Sequence, residues 1–231
     1  MMIWFDRINL KLKLLGRSHY VLGFRRQILH RLGLKCIRFE RWEMDLGSPI
    51  PDFTAKIPVE LRILSLEDLS SERFKGAILA SSDDPLRHKK AEMRIREGDT
   101  CIVGLSEDRL GGFLWLRMGK SRYEAVIETS IPISNGEALI YDAFNSTQFR
   151  RLGAGAKALE GSLRLLKSRG FKDVIAWVEA DNVPPQKVLE AVGFHRTGTI
   201  TYIKVLCFTR IVQRPIGRGL VRSGPRRGPS E

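Results

Sequence analysis

The stretch Arg150-Arg151-Leu152-Gly153-Ala154-Gly155-Ala156 stands between an apolar strand pattern and a helical one. Two glycines at such a junction let the backbone come close to a ligand. The free N–H groups at the helix start can hold an anionic phosphate, and arginine adds charge beside them. A Walker loop would need GxxxxG before its lysine and Ser or Thr after it; Lys157 has neither, so that reading fails. A dinucleotide fingerprint is matched in letters by Gly153, Gly155 and Ala158, with Glu179 ending the next strand where a ribose-binding acid belongs. Its context is poor, because Asn145 to Phe149 separate the strand from the turn and the preceding sequence is rich in hairpins.

Groups able to move a proton lie just upstream. Asp142 interrupts an apolar run of Leu139, Ile140, Tyr141, Ala143 and Phe144. A carboxylate there binds an amine or takes its proton if its surroundings suit, or faces solvent if strand alternation turns it outward. Glu128 is a second carboxylate in the preceding strand pattern, and Tyr141 and Tyr202 carry hydroxyls that donate or only pack. His195, after Gly193-Phe194, reads as structural. Cys36, Cys101 and Cys207 form neither a disulfide framework nor a CxxC pair, and no metal site is expected.

The elements that must position these groups follow from periodicity and breakers. Val21, Phe24, Ile28 and Leu32 share a helical face with Arg25, Arg26 and Arg31 off it, which predicts a basic amphipathic helix. Cys36 to Leu46 alternates as a strand, and Gly47, Pro49 and Pro51 mark a linker over 47–55. A strand over Val59 to Leu64 precedes a helix-starting box at Ser65 and Asp68, and Asp83-Asp84-Pro85 starts a second helix. Thr100 to Leu105 and Leu110 to Met118 read as paired strands, as do Tyr123 to Ile133 and Glu137 to Phe144. After the glycine turn come a helix over 155–169, a strand over 172–178, a helix over 183–191 and a last strand over 199–208. Hairpins followed by a βαβα unit predict an α/β (α+β) fold: a mixed, mostly antiparallel twisted sheet with one parallel pairing, flanked by helices.

Arg150-x-x-Gly153-x-Gly155 matches the R/Q-x-x-G-x-G/A signature of the GNAT superfamily, the coenzyme-A-dependent N-acyltransferases. Asn182, then Val188, Leu189 and Glu190, then Gly193-Phe194, resemble that family's N-x-x-A-x-x-L-Y-E-K-L-G-F segment at the expected distance. The resemblance covers roughly residues 57–208. It implies that the backbone amides of Arg150, Arg151, Leu152, Gly153, Ala154, Gly155 and Ala156 cradle the pyrophosphate of acetyl-CoA or another acyl-CoA. It implies that the pantetheine arm pairs with the backbone of Phe144 and Asn145, and that Asn182 contacts the coenzyme. It places Asp142, Tyr141 and Glu128 as candidate catalytic residues. Leu189 stands where many relatives carry a tyrosine acid and cannot donate a proton, and Pro185 replaces a small residue. The implied activity is acetyl transfer to a primary amine, on a small molecule or peptide, by direct attack. Two alternatives stay open: a catalytically degenerate GNAT fold that binds nucleic acid or an anionic membrane surface, and a transferase of longer acyl groups from acyl-CoA or an acyl carrier protein.

The 231 residues carry 39 Lys+Arg against 26 Asp+Glu, a formal charge of +13, with 43% hydrophobic residues. Disorder throughout is excluded, since such a chain buries enough apolar surface for a core. Residues 1–45 hold ten basic and four acidic side chains, and residues 210–231 hold six arginines and one acid, so the middle is close to neutral. Three segments are expected: a basic N-terminal extension over 1–55, an acetyltransferase domain over 56–210, and a disordered Arg/Gly/Pro-rich tail over 211–231, beginning in earnest at Gln213. The basic helix would dock on the domain, touch a membrane surface or meet an acidic protein; nucleic acid is the weaker expectation. No run of about 20 apolar residues and no secretory signal are seen, so a cytoplasmic location is expected, with peripheral contact at the inner membrane face as an option.

Overall fold

A computed structural model describes residues 34–71, 86–107, 109–205 and 208–216. The predicted amphipathic helix over 21–32, the helix start at Asp83 to Pro85 and the tail beyond residue 216 lie outside the described residues. The chain forms two compact units. The smaller takes residues 34–39 of strand β1 (Leu34–Asp45) with residues 199–214, from strands β9 (His195–Val205) and β10 (Phe208–Pro215), in the order β10-β9-β1. Ile200 and Tyr202 are buried in it, and the Lys35 ammonium lies 5.2 Å from the centre of the Tyr202 ring.

The larger unit spans residues 40–198 and contains everything that builds the candidate site. Its sheet runs β1-β8-β7-β4-β3-β2, with β2 Glu60–Ile63, β3 Thr100–Ser106, β4 Arg109–Arg117, β7 Glu137–Asn145 and β8 Asp173–Glu179. Strands β2–β3, β3–β4 and β4–β7 pair antiparallel and β7–β8 pair parallel, as the hairpins and the βαβ unit require. Among the described residues four helices accompany the sheet: α1 Leu66–Ser70, α2 Arg87–Arg96, α3 Ala154–Ser168 and α4 Val183–Val192. The Ser65/Asp68 capping box is formed in full. No helix among the described residues is long and apolar enough to cross a membrane.

Period-two alternation sorts the strand side chains into two cores. Leu114 and Leu116 of β4, Ala138 and Ile140 of β7, and Val174, Ala176 and Val178 of β8 pack with Ala158, Leu159, Leu163 and Leu166 of α3 and Leu189 and Val192 of α4. The intervening Phe113 and Trp115, Leu139 and Tyr141, and Ile175 pack with Leu69 of α1 and Ala91 of α2.

Three expectations change. Tyr123 to Ile133 is not one strand but a separate hairpin, β5 Ser121–Glu124 with β6 Thr129–Pro132. The adjacent apolar Val126 and Ile127 break the alternation, Ile127 N–H bonds to the Glu124 carbonyl, and Glu128 turns left-handed at φ +50°. The last strand is longer, starting at His195, and β10 follows it, so Gln213 to Pro215 are strand rather than tail. The linker over 47–55 has no regular structure but is tied to α3. Phe53 N–H donates to Glu160 Oε2 (2.9 Å), Lys157 Nζ to Asp52 Oδ1 (2.9 Å), and Lys56 N–H to the Leu152 carbonyl (2.9 Å).

Candidate active site

Strands β7 and β8 pair from Glu137↔Asp173 to Ile140↔Ala176, and there the ladder stops, although β7 continues to Asn145 and β8 to Glu179. The cause is local to β7. On its other side, Trp115 faces Tyr141 but Phe113 faces Phe144, so β7 fits one residue more than β4 between the two pairs. That bulge is taken up at Asp142, whose φ of +47° is left-handed, and a bulge bends its strand and ends the regular pairing. The backbone of Tyr141 to Asn145 therefore presents a β8-facing edge outside that ladder, as an extended ligand needs in order to add itself as a strand.

That edge runs straight into the glycine turn. Ser146 N–H bonds to the Gly111 carbonyl, a short 3₁₀ turn covers Thr147–Phe149, and Arg151 (φ +64°) and Gly153 (φ +91°) reverse the chain into α3. Gly153 is the N-cap, with no side-chain cap bond and no acid in the first turn, so the leading N–H groups of α3 carry the positive end of the helix dipole uncompensated there. A Cβ on Gly153 would lie 2.8 Å from Ala55 Cα. The requirement at Gly155 is different: a Cβ there would meet the Asn145 amide at 2.1 Å, and one on Gly112 would meet the same group at 2.7 Å. Both glycines thus make room for the Asn145 side chain. Arg150 and Arg151 are exposed beside the turn, whereas Lys157 is engaged by Asp52 and Glu160.

Asn182 is the N-cap of α4 but makes no cap hydrogen bond, and it is exposed. Leu189, in the position of the family's tyrosine, is 6% exposed and belongs to the core with α3. Glu128 is exposed in the β5–β6 turn, and Tyr202 lies in the other compact unit.

Asp142 is the meeting point of a charged cluster on the α2 face. Its Oδ1 accepts from Arg87 Nη2 (2.8 Å) and its Oδ2 from Arg94 Nη1 (2.5 Å). Burial alone would raise the Asp142 carboxyl, but the hydrogen bond and charge of Arg94, with those of Arg87, outweigh it and hold the group below its ordinary value. Arg94 stacks 5.1 Å from the ring centres of both Trp115 and Tyr141, and Arg87 lies 5.4 Å from that of Phe113. Tyr141 Oη donates to buried Asp99 (2.5 Å), which also takes two bonds from Arg117. Burial, then the Asp99 bond, pushes the Tyr141 phenol up, and burial does the same to the Cys101 thiol nearby. The two arginines were missed in the sequence, though Arg87, Ala91 and Arg94 stand at i, i+4 and i+7 and so share one helix face.

The sign of the Asp142 shift sets a pH dependence. A carboxyl depressed in the folded protein contributes stability that is present above its unfolded value, about 3.9, and is lost as pH falls through the lower folded value. Wild type is expected to lose stability below about pH 4 more steeply than Asp142→Asn. Urea midpoints from pH 7 to 2.5 check this, and parallel profiles would contradict it.

The profile of the Acetyltransferase (GNAT) family matches residues 63–194, more than half of the chain. The chain belongs to the GNAT acetyltransferase family. Members of this family generally use acetyl-CoA, and the match contains both the glycine turn and the Asn182–Phe194 segment. Among solved structures, a GNAT-family acetyltransferase from Colwellia psychrerythraea superposes with a TM-score of 0.52 at 16% identity, over 84% of this chain and 61% of that one. A GCN5-related N-acetyltransferase from Sphaerobacter thermophilus gives 0.50 at 14% identity, over 87% and 59%. At such identities the likeness concerns the fold, and the GNAT chain described here spans about six-tenths of their length. No curated protein matches the sequence significantly.

Proposed function

We propose that this GNAT protein transfers the acetyl group of acetyl-CoA to a primary amine by direct attack. One observation carries the reading: the β7–β8 ladder ends at Ile140↔Ala176, and the freed β7 edge leads into a helix start without a side-chain cap. An extended thioester arm fits the edge, and a pyrophosphate fits the leading N–H groups of α3 with Arg150 and Arg151 beside it.

In the transfer, the amine nitrogen bonds to the thioester carbonyl carbon, the carbon–sulfur bond breaks, the thiolate leaves and the ammonium proton passes to solvent. Asp142, committed to two guanidiniums and held ionised, is a weak base, so its part is to orient them. Tyr141 is similarly committed to Asp99. A dedicated acid is not required. A thiol of ordinary pKa, about 8.5, leaves as the thiolate near neutral pH, which accounts for a core leucine at position 189.

Incubating a lysate with isotopically labelled acetyl-CoA, with and without the protein, and finding labelled amides by mass spectrometry tests the reading. The expected result is one or a few protein-dependent acetylated amines. Absence of any acetyl-CoA binding by calorimetry would sink it.

A further inference from the structure

We propose that the amine acceptor of this enzyme carries an anionic group, of the carboxylate or phosphate kind, bound by Arg87 and Arg94 in the recess beside Asp142. The inference rests on the acetyltransferase reading for its chemistry, and on the arginine pair for its content.

The recess, shallow and partly open to solvent, is lined by Arg87, Ala91, Arg94, Cys101, Phe113 and Trp115. Two full positive charges there share one carboxylate, Asp142, which accepts from Arg87 Nη2 and Arg94 Nη1, of the five N–H groups that each guanidinium offers. The neighbouring arginines each have a carboxylate of their own: Arg117 meets two, Asp99 and Glu97, and Arg122, stacked 3.9 Å from the Tyr141 ring centre, pairs with Glu124. Among these described residues the recess is thus the place where two guanidiniums share a single carboxylate.

It is also shielded. The Arg87 and Arg94 side chains are only 17% and 21% exposed, and their faces rest on Phe113, Trp115 and Tyr141. A shielded pair of cations sharing one carboxylate is only partly compensated, and stacking on rings offsets the rest only in part, so an anion entering the recess gains more than it would at an exposed arginine. The paired forks suit the two oxygens of a carboxylate or the oxygens of a phosphate. None of the lining residues is acidic, and the Cys101 thiol is kept neutral by burial, so nothing in the lining attracts a polycation.

Asp142, which holds both arginines, is two residues from Phe144 on the strand edge assigned to the thioester arm. An anion held at the arginines leaves the other end of a short molecule, the amine, toward that edge.

The test uses the full chain saturated with acetyl-CoA, whose binding is measured first by calorimetry. Thiol release is then followed with the common L-amino acids, with phosphoethanolamine, and with ethanolamine, spermidine and kanamycin. Carboxylate or phosphate amines are expected to be acetylated with a KM at least about tenfold below that of the uncharged or cationic amines, the scale of a charge-assisted hydrogen bond. The carboxylate and phosphoethanolamine arms tell the two anion sources apart. Arg94→Gln and Arg87→Gln should each raise that KM about tenfold or more with little change in kcat, and Arg94→Lys should recover part of it. Preference for spermidine, kanamycin or ethanolamine, no turnover or binding of any anionic amine, or an unchanged KM in both glutamine variants that retain their acetyl-CoA affinity, would overturn the proposal. Loss of acetyl-CoA binding by the wild-type protein would instead strike the activity itself.

Discussion

Gly153→Val is expected to abolish the rise in melting temperature that acetyl-CoA gives the wild-type protein. At a ligand concentration a hundred times Kd, binding stabilises a protein by about 2.7 kcal/mol, which for a domain of this size is a shift of roughly 5–10 °C. Gly153 holds φ at +91°, a region where a β-branched residue is strained by about 1–2 kcal/mol. Its Cβ would also stand 2.8 Å from Ala55 Cα and 3.3 Å from the Thr54 carbonyl oxygen, both backbone atoms that cannot swing aside. The first turn of α3 must then move, and with it the N–H groups that would meet the pyrophosphate. Gly170→Ala is the control. It has a similar left-handed φ of +81° but nothing within 4 Å of the new Cβ, so it lowers the basal melting temperature and keeps the acetyl-CoA shift. A Gly153→Val protein that keeps the full shift would show that the anion binds elsewhere.

Asp99→Asn is expected to cost about 3–5 kcal/mol of folding stability, the range for removing one partner of a buried charge pair. The Asp99 side chain is only 2% exposed, and it collects Arg117 Nε (2.5 Å), Arg117 Nη2 (2.9 Å) and Tyr141 Oη (2.5 Å). An amide in its place removes the negative charge and keeps one acceptor oxygen, so its NH2 group turns toward either Arg117 Nε or the pair Arg117 Nη2 and Tyr141 Oη. Arg117 keeps the Ser121 carbonyl and, as a carboxylate, Glu97, which is exposed by 53% and offers a weaker, screened partner. Tyr141→Phe alone should cost less, about 1 kcal/mol, because it removes a donor without stranding a charge. Urea unfolding of the two single variants and the double variant checks this; a loss under about 1 kcal/mol for Asp99→Asn would mean that water reaches the site and replaces the carboxylate. Because Tyr141 neighbours Asp142 and stacks on Arg94, the Asp99 network is the footing of the proposed acceptor recess.

The strands of the larger unit were readable because each obeys a local rule. In β4, β7 and β8 every second residue belongs to one core and the rest to the other, so a continuous apolar run flanked by turns marks a strand buried on both faces. The reading failed where that rule has no purchase. Tyr123 to Ile133 keeps β-forming residues but folds back at Glu128, a left-handed glutamate that no propensity singles out. The last strand pair escaped because β10 is mostly exposed and reads in sequence as polar tail. The linker over 47–55 looked like a spacer, and its Pro and Gly do break regular structure; that Phe53 and Asp52 tie it to α3, and Lys56 just beyond it to the glycine turn, depends on contacts with residues about a hundred positions away.

The candidate site divides in the same way. The glycine turn, the helix after it and the Asn182 segment are contiguous in the chain, and the sequence by itself determined them, along with membership of the GNAT family. A left-handed N-cap and an open helix start are set by the few residues that form them. What the tertiary structure decided is the state of the residues around that turn. Asp142 stands out in the sequence as a lone carboxylate, able to bind an amine, take its proton or face solvent. Its function as an anchor for two arginines follows from partners 55 and 48 residues away, and from a bulge whose extra residue is visible only against β4. Local geometry is written in neighbouring residues, whereas charge balance and burial are properties of whatever the fold brings alongside, and no spacing along the chain encodes them.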